Sequence, residues 1–293
     1  MKKIFIFLLF ISVTIILGTT WLAMKIALQT IPPLFITGVR FLISFTLLTI
    51  ISFFFKAKLF FPVRKLQFQI LLSIFYFLIP FTLMLYCGKF LEISLSAIIY
   101  SNMPVIILFF SSILEKKNIC FLKKIGIFFS ILSLISIFVE KIFFGSIQEI
   151  FGIIALLIAM FSHSIIYIKS KKELSNFSVI TLNALPSFLS GIILIIGSFF
   201  FENPNIMFFS KSSILATIYL GSIVGVFGIL SYFYLQKKTN PLIASMVFLF
   251  FPLIPIGTEY FFHNKFLLKI ELFSVFFSFF GIMIILFSSF FLI

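Results

Sequence analysis

Ten apolar stretches, each long enough to cross a bilayer and separated by short polar breaks, constrain this chain more than any other feature. A membrane-spanning helix takes about 20 apolar residues. The first five stretches run from Ile4 to Leu28, Leu34 to Phe55, Gln67 to Leu85, Ser94 to Leu114 and Leu122 to Val139. The second five run from Ile150 to Ile168, Ser178 to Phe201, Ser212 to Leu235, Leu242 to Phe262 and Leu272 to Phe291. Hydrocarbon offers the backbone no hydrogen bonds, so each stretch is expected to be a helix. The expected fold is therefore an all-α integral membrane protein of ten transmembrane helices. Charged residues are 10% of the chain and hydrophobic ones 62%. Soluble domains carry about 25% charge and 45–50% apolar residues, so a soluble enzyme, a nucleic-acid binder and a disordered chain are excluded. The opening Met1-Lys2-Lys3 imitates a signal peptide. The apolar run continues past Thr20 without a small-x-small cleavage site, so it reads as an uncleaved first span.

The net charge of +14 would indicate nucleic acid on a soluble protein. Here it reports orientation. With the N-terminus placed in the cytoplasm, fifteen of the 22 basic residues fall in cytoplasmic segments and five in outer ones. Lys25 and Arg40 lie within spans. That is a strong positive-inside bias, and it persists loop by loop. Both termini are expected in the cytoplasm.

The chain also repeats. An offset of 148 carries Tyr86 onto Tyr234, Lys89 onto Lys237 and Pro104 onto Pro252. Both prolines fall mid-span, one in the fourth span and one in the ninth. Five spans is an odd number, so two such halves, 1–140 and 149–293, enter the membrane in opposite directions. Inverted five-helix repeats are an architecture of secondary transporters.

A mid-helix proline frees the carbonyl four residues earlier: that of Tyr100 for Pro104 and that of Phe248 for Pro252. Interrupted helices at matching places in two halves point to a midplane site, and Ser101 and Asn102 bring a hydroxyl and an amide to the same depth. The alternative is a packing kink. Arg40 lies about 9 Å into the second span at 1.5 Å per residue and cannot shed its proton. It needs either a substrate anion or a structural bond to backbone carbonyls. Lys25, near the outer end of the first span, either meets a substrate carboxylate or snorkels to the interface. His163 either relays protons or is bonded to Ser162 or a neighbouring helix. Glu259 either accepts a proton or sits at headgroup level. Gly221-x-x-x-Gly225 is a close-packing signal. The 49 phenylalanines fit an AT-rich genome placing Phe on lipid-facing positions, or an aromatic-lined site. Cys87 and Cys120 form no CxxC or metal spacing, no aspartate occurs, and no HExxH or acidic pair is present. No metal, cofactor or enzymatic chemistry is expected.

The stretch from Gly18 through Thr20, Trp21 and Lys25 to Leu28, followed by Ile31-Pro32-Pro33 and Arg40-Phe41, resembles the opening of EamA-type transporters of the drug/metabolite transporter superfamily. Pro104 with Glu115 eleven residues on resembles the family's end of span four, whereas His263 occupies the matching place after Pro252. The family's usual Trp-Gly order is also altered. The resemblance implies two inverted five-helix bundles around a central cavity, moving amino acids, sugars, nucleotide derivatives or drugs by alternating access, frequently as exporters. The spans that usually line such a cavity contain Thr20, Arg40, Asn102, Pro104, His163 and Pro252 here. No GxxxxGK[ST] loop occurs, so transport runs on a gradient. The resulting expectation is a carrier of amino acids or similar small molecules in a bacterial inner membrane, with a channel or facilitative pore as the alternative. Lys25, Arg40 and Glu259 complete the candidate substrate-binding set.

Overall fold

A computed structural model describes residues 2–59, 62, 65–116, 118–174, 177–263 and 269–291. Among them every regular element is helical. Nine helical spans are long and apolar enough to cross a membrane: α1 (Ile4–Ala27), α2 (Pro33–Phe55), α3 (Leu66–Cys87), α4 (Ile93–Leu114), α5 (Phe121–Phe144), α6 (Ile147–Lys171), α7 (Val179–Phe201), α8 (Lys211–Lys238) and α9 (Leu242–Phe261). The tenth, α10, spans Lys269–Phe291. The fold is thus an all-α membrane fold of two inverted five-helix repeats.

Local chemistry starts the helices. Ser178, Ser210 and Asn240 each accept the backbone N–H three residues on, the usual N-cap arrangement. Pro33 occupies the first turn of α2, where the missing N–H costs nothing. The donors left free there are capped from outside: Glu202, at the end of α7, accepts Leu34 N at 2.9 Å and Phe35 N at 3.2 Å. It also accepts the Ser198 hydroxyl at 2.8 Å and the Tyr86 hydroxyl at 3.0 Å. One carboxylate therefore joins the ends of α7, α2 and α3, and its negative charge suits the positive end of the α2 dipole.

In lipid the hydrophobic effect does not drive helices together, so close approach and hydrogen bonds must. The largest interface joins α5 to α10, and the next joins α2 to α7. Along the first, a Cβ at Gly281 would meet the Gly126 carbonyl oxygen at 2.5 Å, and one at Gly126 would meet the Gly281 carbonyl at 2.4 Å. Ser133 Oγ donates to Ser274 O at 2.7 Å, and the Ser136 and Ser274 hydroxyls lie 2.7 Å apart. The offset of 148 carries Gly126, Ser130 and Ser133 onto Ser274, Ser278 and Gly281. The two halves thus contribute equivalent faces to one seam. In α8, Gly225 leaves room for Ser44, whose hydroxyl lies 2.7 Å from Gly221 O and 2.8 Å from Arg40 O. The GxxxG signal is a close contact with α2.

The pairings repeat under the same symmetry. Helix α3 packs on α6 and α7, while α8 packs on α1 and α2. Each of α3 and α8 contains a π-helical segment, Ser73–Leu78 and Leu220–Gly228, and the offset carries the first onto the second. Pro80 follows the first segment and has no N–H to close an α-helical bond to Tyr76 O, a local reason for the wide turn. The second segment has glycines at 221, 225 and 228 instead.

Contacts near the ends agree with the alternating course of the chain. Lys65 Nζ lies 2.5 Å from Glu173 Oε1, and Thr181 Oγ1 donates to Lys58 O. At the opposite ends, Lys25 Nζ lies 3.5 Å from Glu259 Oε1 and Ser213 Oγ donates to Ile26 O at 2.8 Å. Every one of these joins segments assigned to a single side. Phenylalanines at helix ends, such as Phe53, Phe144 and Phe201, are largely exposed on the outside of the bundle, as a lipid-facing surface requires.

Candidate substrate cavity

Helices α4 and α9 are interrupted where the prolines predict. Helix α4 breaks at Ser101–Asn102, and Met103-Pro104 begins its second half; α9 breaks at Met246 and at Phe251–Pro252. The breaks stand beside a cavity of about 50 Å³ between the two halves. Its wall residues are buried, apart from half-buried Leu17. Four pairs of wall residues are related by the 148 offset: Tyr76 with Val224, Phe81 with Ile229, Met84 with Tyr232, and Tyr100 with Phe248. The repeat thus builds the walls twice, from α3 and α4 and again from α8 and α9. Helices α1, α2 and α6 add Thr20 and Trp21, Arg40, and His163.

Arg40 is the charged wall residue, and its side chain is fully buried. Its Nε, Nη1 and Nη2 have no hydrogen-bond partner among the described residues. The guanidinium carbon instead stands 4.5 Å from the centre of the Phe81 ring and 5.5 Å from that of Phe41, a cation–π arrangement. The structural bond to backbone carbonyls, one of the two readings of Arg40 from sequence, is not made. The Arg40 carbonyl is itself occupied by Ser44. A guanidinium with five unused donors facing a cavity can receive a planar anion in bidentate fashion.

His163 is bonded across the cavity wall. Its Nδ1 lies 2.5 Å from the Tyr100 hydroxyl, and its ring packs edge-on against Tyr76, with centroids 4.1 Å apart. Its Nε2 has no hydrogen-bond partner among the described residues. Ser162 bonds elsewhere, to Phe75 O, so His163 has its partner on a neighbouring helix. Trp21 stacks on Phe251 at 6.2 Å and meets Tyr100 edge-on at 6.0 Å. The wall is therefore largely aromatic, with polar functions from Arg40, His163, Thr20 and the tyrosines.

The other five sequence candidates lie outside the cavity wall. Asn102 Nδ2 donates to Ile98 O and Ile99 O at 3.3 Å each, and its Oδ1 accepts Ser278 Oγ at 3.1 Å. Those bonds tie the α4 break to α10. Pro104 and Pro252 are buried and shape the breaks, while Tyr100, Phe248 and Phe251 beside them reach the wall. Lys25 pairs with Glu259, which is 3% exposed, so the lysine has an ionic partner and the glutamate is packed inside the bundle. Thr20, Arg40 and His163 thus line the cavity. For Lys25, Asn102, Pro104, Pro252 and Glu259 the geometry supports shaping and closing the bundle. Tyr76, Phe81, Met84 and Tyr232 are wall residues that the sequence reading did not single out, and it named Trp21 only within the family motif.

Ten membrane-crossing helices in two inverted halves, closed around a polar-anchored aromatic cavity, define a membrane transporter architecture. The profile described as the EamA-like transporter family matches the chain at residues 4–139 and again at 150–287, and the chain belongs to that family. It is 49% identical over 286 residues, 98% of this chain and 95% of the other, to an uncharacterized transporter of Buchnera aphidicola subsp. Schizaphis graminum. It is 45% identical over 259 residues, 88% of this chain and 85% of the other, to Protein PagO of Salmonella typhimurium. A solved crystal structure, 14% identical and matched over 95% of each chain with a TM-score of 0.70, shares the fold.

Proposed function

We propose that this transporter is a secondary carrier of small organic metabolites, amino acids or similar, working by alternating access and in the export direction. The unpartnered guanidinium of Arg40 inside an aromatic cavity carries the reading. Such a group binds an organic anion by its head while the walls take an apolar body, a combination unsuited to an inorganic cation. A cavity of about 50 Å³ has room for a few waters, below the 300–1,000 Å³ of typical ligand pockets. Admitting a metabolite thus requires the halves, 1–140 and 149–293, to part toward one side and then the other. The duplicated walls suit that motion, because equivalent helices serve each opening. The lysine bias supports a bacterial inner-membrane protein with both termini facing the cytoplasm.

No wall residue is a serine or cysteine nucleophile next to a base, so the protein is not read as an enzyme. The absence of a nucleotide-binding loop from this polypeptide leaves a gradient as the driving force. Purified protein in sealed vesicles tests the reading. A carrier gives saturable metabolite flux that a competing metabolite inhibits; non-saturating ion conductance establishes the channel alternative instead.

A further inference from the structure

The carrier reading leaves the charge of the cargo open. We infer that the cavity is built for a net-negative organic acid, a single carboxylate on an apolar or aromatic body, in preference to a zwitterion or a cation. This rests on the carrier reading and replaces its amino-acid cargo, a zwitterion, with an acid of net negative charge.

The argument is one of charge balance. Arg40 keeps its proton, and none of the eight acidic residues lines the cavity. Glu259 is paired with Lys25, Glu173 with Lys65, and Glu140 and Glu149 with Lys141. Glu202 is bonded to two backbone amides and two hydroxyls at the far end of α7. The cavity wall therefore carries one positive charge with no acidic residue on the wall to balance it, in buried surroundings where an entering anion is favoured. A monocarboxylate brings the cavity to neutrality. A zwitterion leaves the net charge at plus one, and its ammonium finds no carboxylate on the wall.

The repeat supports a count of one. The offset that duplicates four wall positions carries Arg40 onto Phe188, so the two-fold frame holds a single charge. An aromatic cage alone would suit a cation. Here the Phe81 face that such a cation would use already carries the guanidinium at 4.5 Å, and like charge repels the newcomer. The planar fork of the guanidinium matches a carboxylate in particular.

Trp21, the single tryptophan of the chain, is a wall residue, so intrinsic fluorescence reports occupancy directly. Full-length protein in lipid nanodiscs near neutral pH is titrated with 3-phenylpropionate, L-phenylalanine and phenethylammonium, one body carrying negative, zero and positive net charge. We expect 3-phenylpropionate to change Trp21 emission saturably at a concentration at least about tenfold below L-phenylalanine, and phenethylammonium to give no saturable change. Arg40→Gln should abolish this order. Arg40→Lys, which keeps the charge, should preserve the order with weaker binding and guards against misfolding of the neutral variant. Equal or tighter binding of L-phenylalanine, an unchanged order in Arg40→Gln, or no response to any of the three overturns the inference. Saturable vesicle flux of a zwitterion would then leave the carrier reading standing, whereas saturable flux of no metabolite removes that reading itself.

Discussion

Arg40 is the residue on which the site turns, and it was legible because a permanent charge inside an apolar run is a functional signal on its own. His163 stood out as a titratable group within a span, and Thr20 through the resemblance to EamA-type transporters. Tyr76 and Tyr232 did not, because a chain that is 20% aromatic hides its functional rings among lipid-facing ones. Asn102 was misplaced for a different reason: span periodicity fixes depth but not azimuth, and its side chain turns toward Ser278 on α10. Two predictions belong here. Arg40→Lys keeps the charge but loses the bidentate fork, so transport should fall by about tenfold or more; unchanged uptake and affinity would remove Arg40 from the site. In a background with Cys87 and Cys120 replaced by serine, a cysteine in place of Thr20 should react with small aqueous reagents and be protected by substrate. One in place of Asn102 should be inert, and the reverse pattern would put the cavity on the other face of α4.

At the scale of elements, the prolines made the breaks in α4 and α9 readable, whereas the π-helical segments of α3 and α8 were not. Their hydrogen-bond register depends on how each helix packs, and one contains glycines where the other has a proline after it. The α5–α10 seam was equally hidden, since small residues in a serine-rich apolar chain are unremarkable until their partners are known. The seam makes a clear prediction. Gly281→Val puts a branched side chain against the Gly126 carbonyl, where even a Cβ would sit at 2.5 Å. Overpacking of this kind costs about 1–3 kcal/mol, so thermal unfolding in detergent should begin at a lower temperature. Gly257→Ala, with no heavy atom within 4 Å of the added Cβ, should unfold like the parent. Equal behaviour of the two variants would mean that the seam is not a tight contact.

At the scale of the molecule, ten spans and an inverted repeat were legible because bilayer thickness fixes span length and loop lysines fix alternation. The shape of the cavity was not, since it depends on pairs of helices about 148 residues apart in the chain. Topology follows directly: a phosphatase fused to the C-terminus should be inactive and a fluorescent protein fused there should glow, as a cytoplasmic end requires. An active phosphatase would contradict the ten-span orientation. The central claim is that one site serves both faces of the membrane in turn, and counterflow tests it most directly. Vesicles loaded with unlabelled substrate and diluted into a trace of labelled substrate should accumulate label transiently above its outside concentration, because a carrier returns loaded faster than a dissipating gradient drains it. Label that only rises to equilibrium, with no overshoot and no dependence on the internal pool, would contradict alternating access and leave a pore.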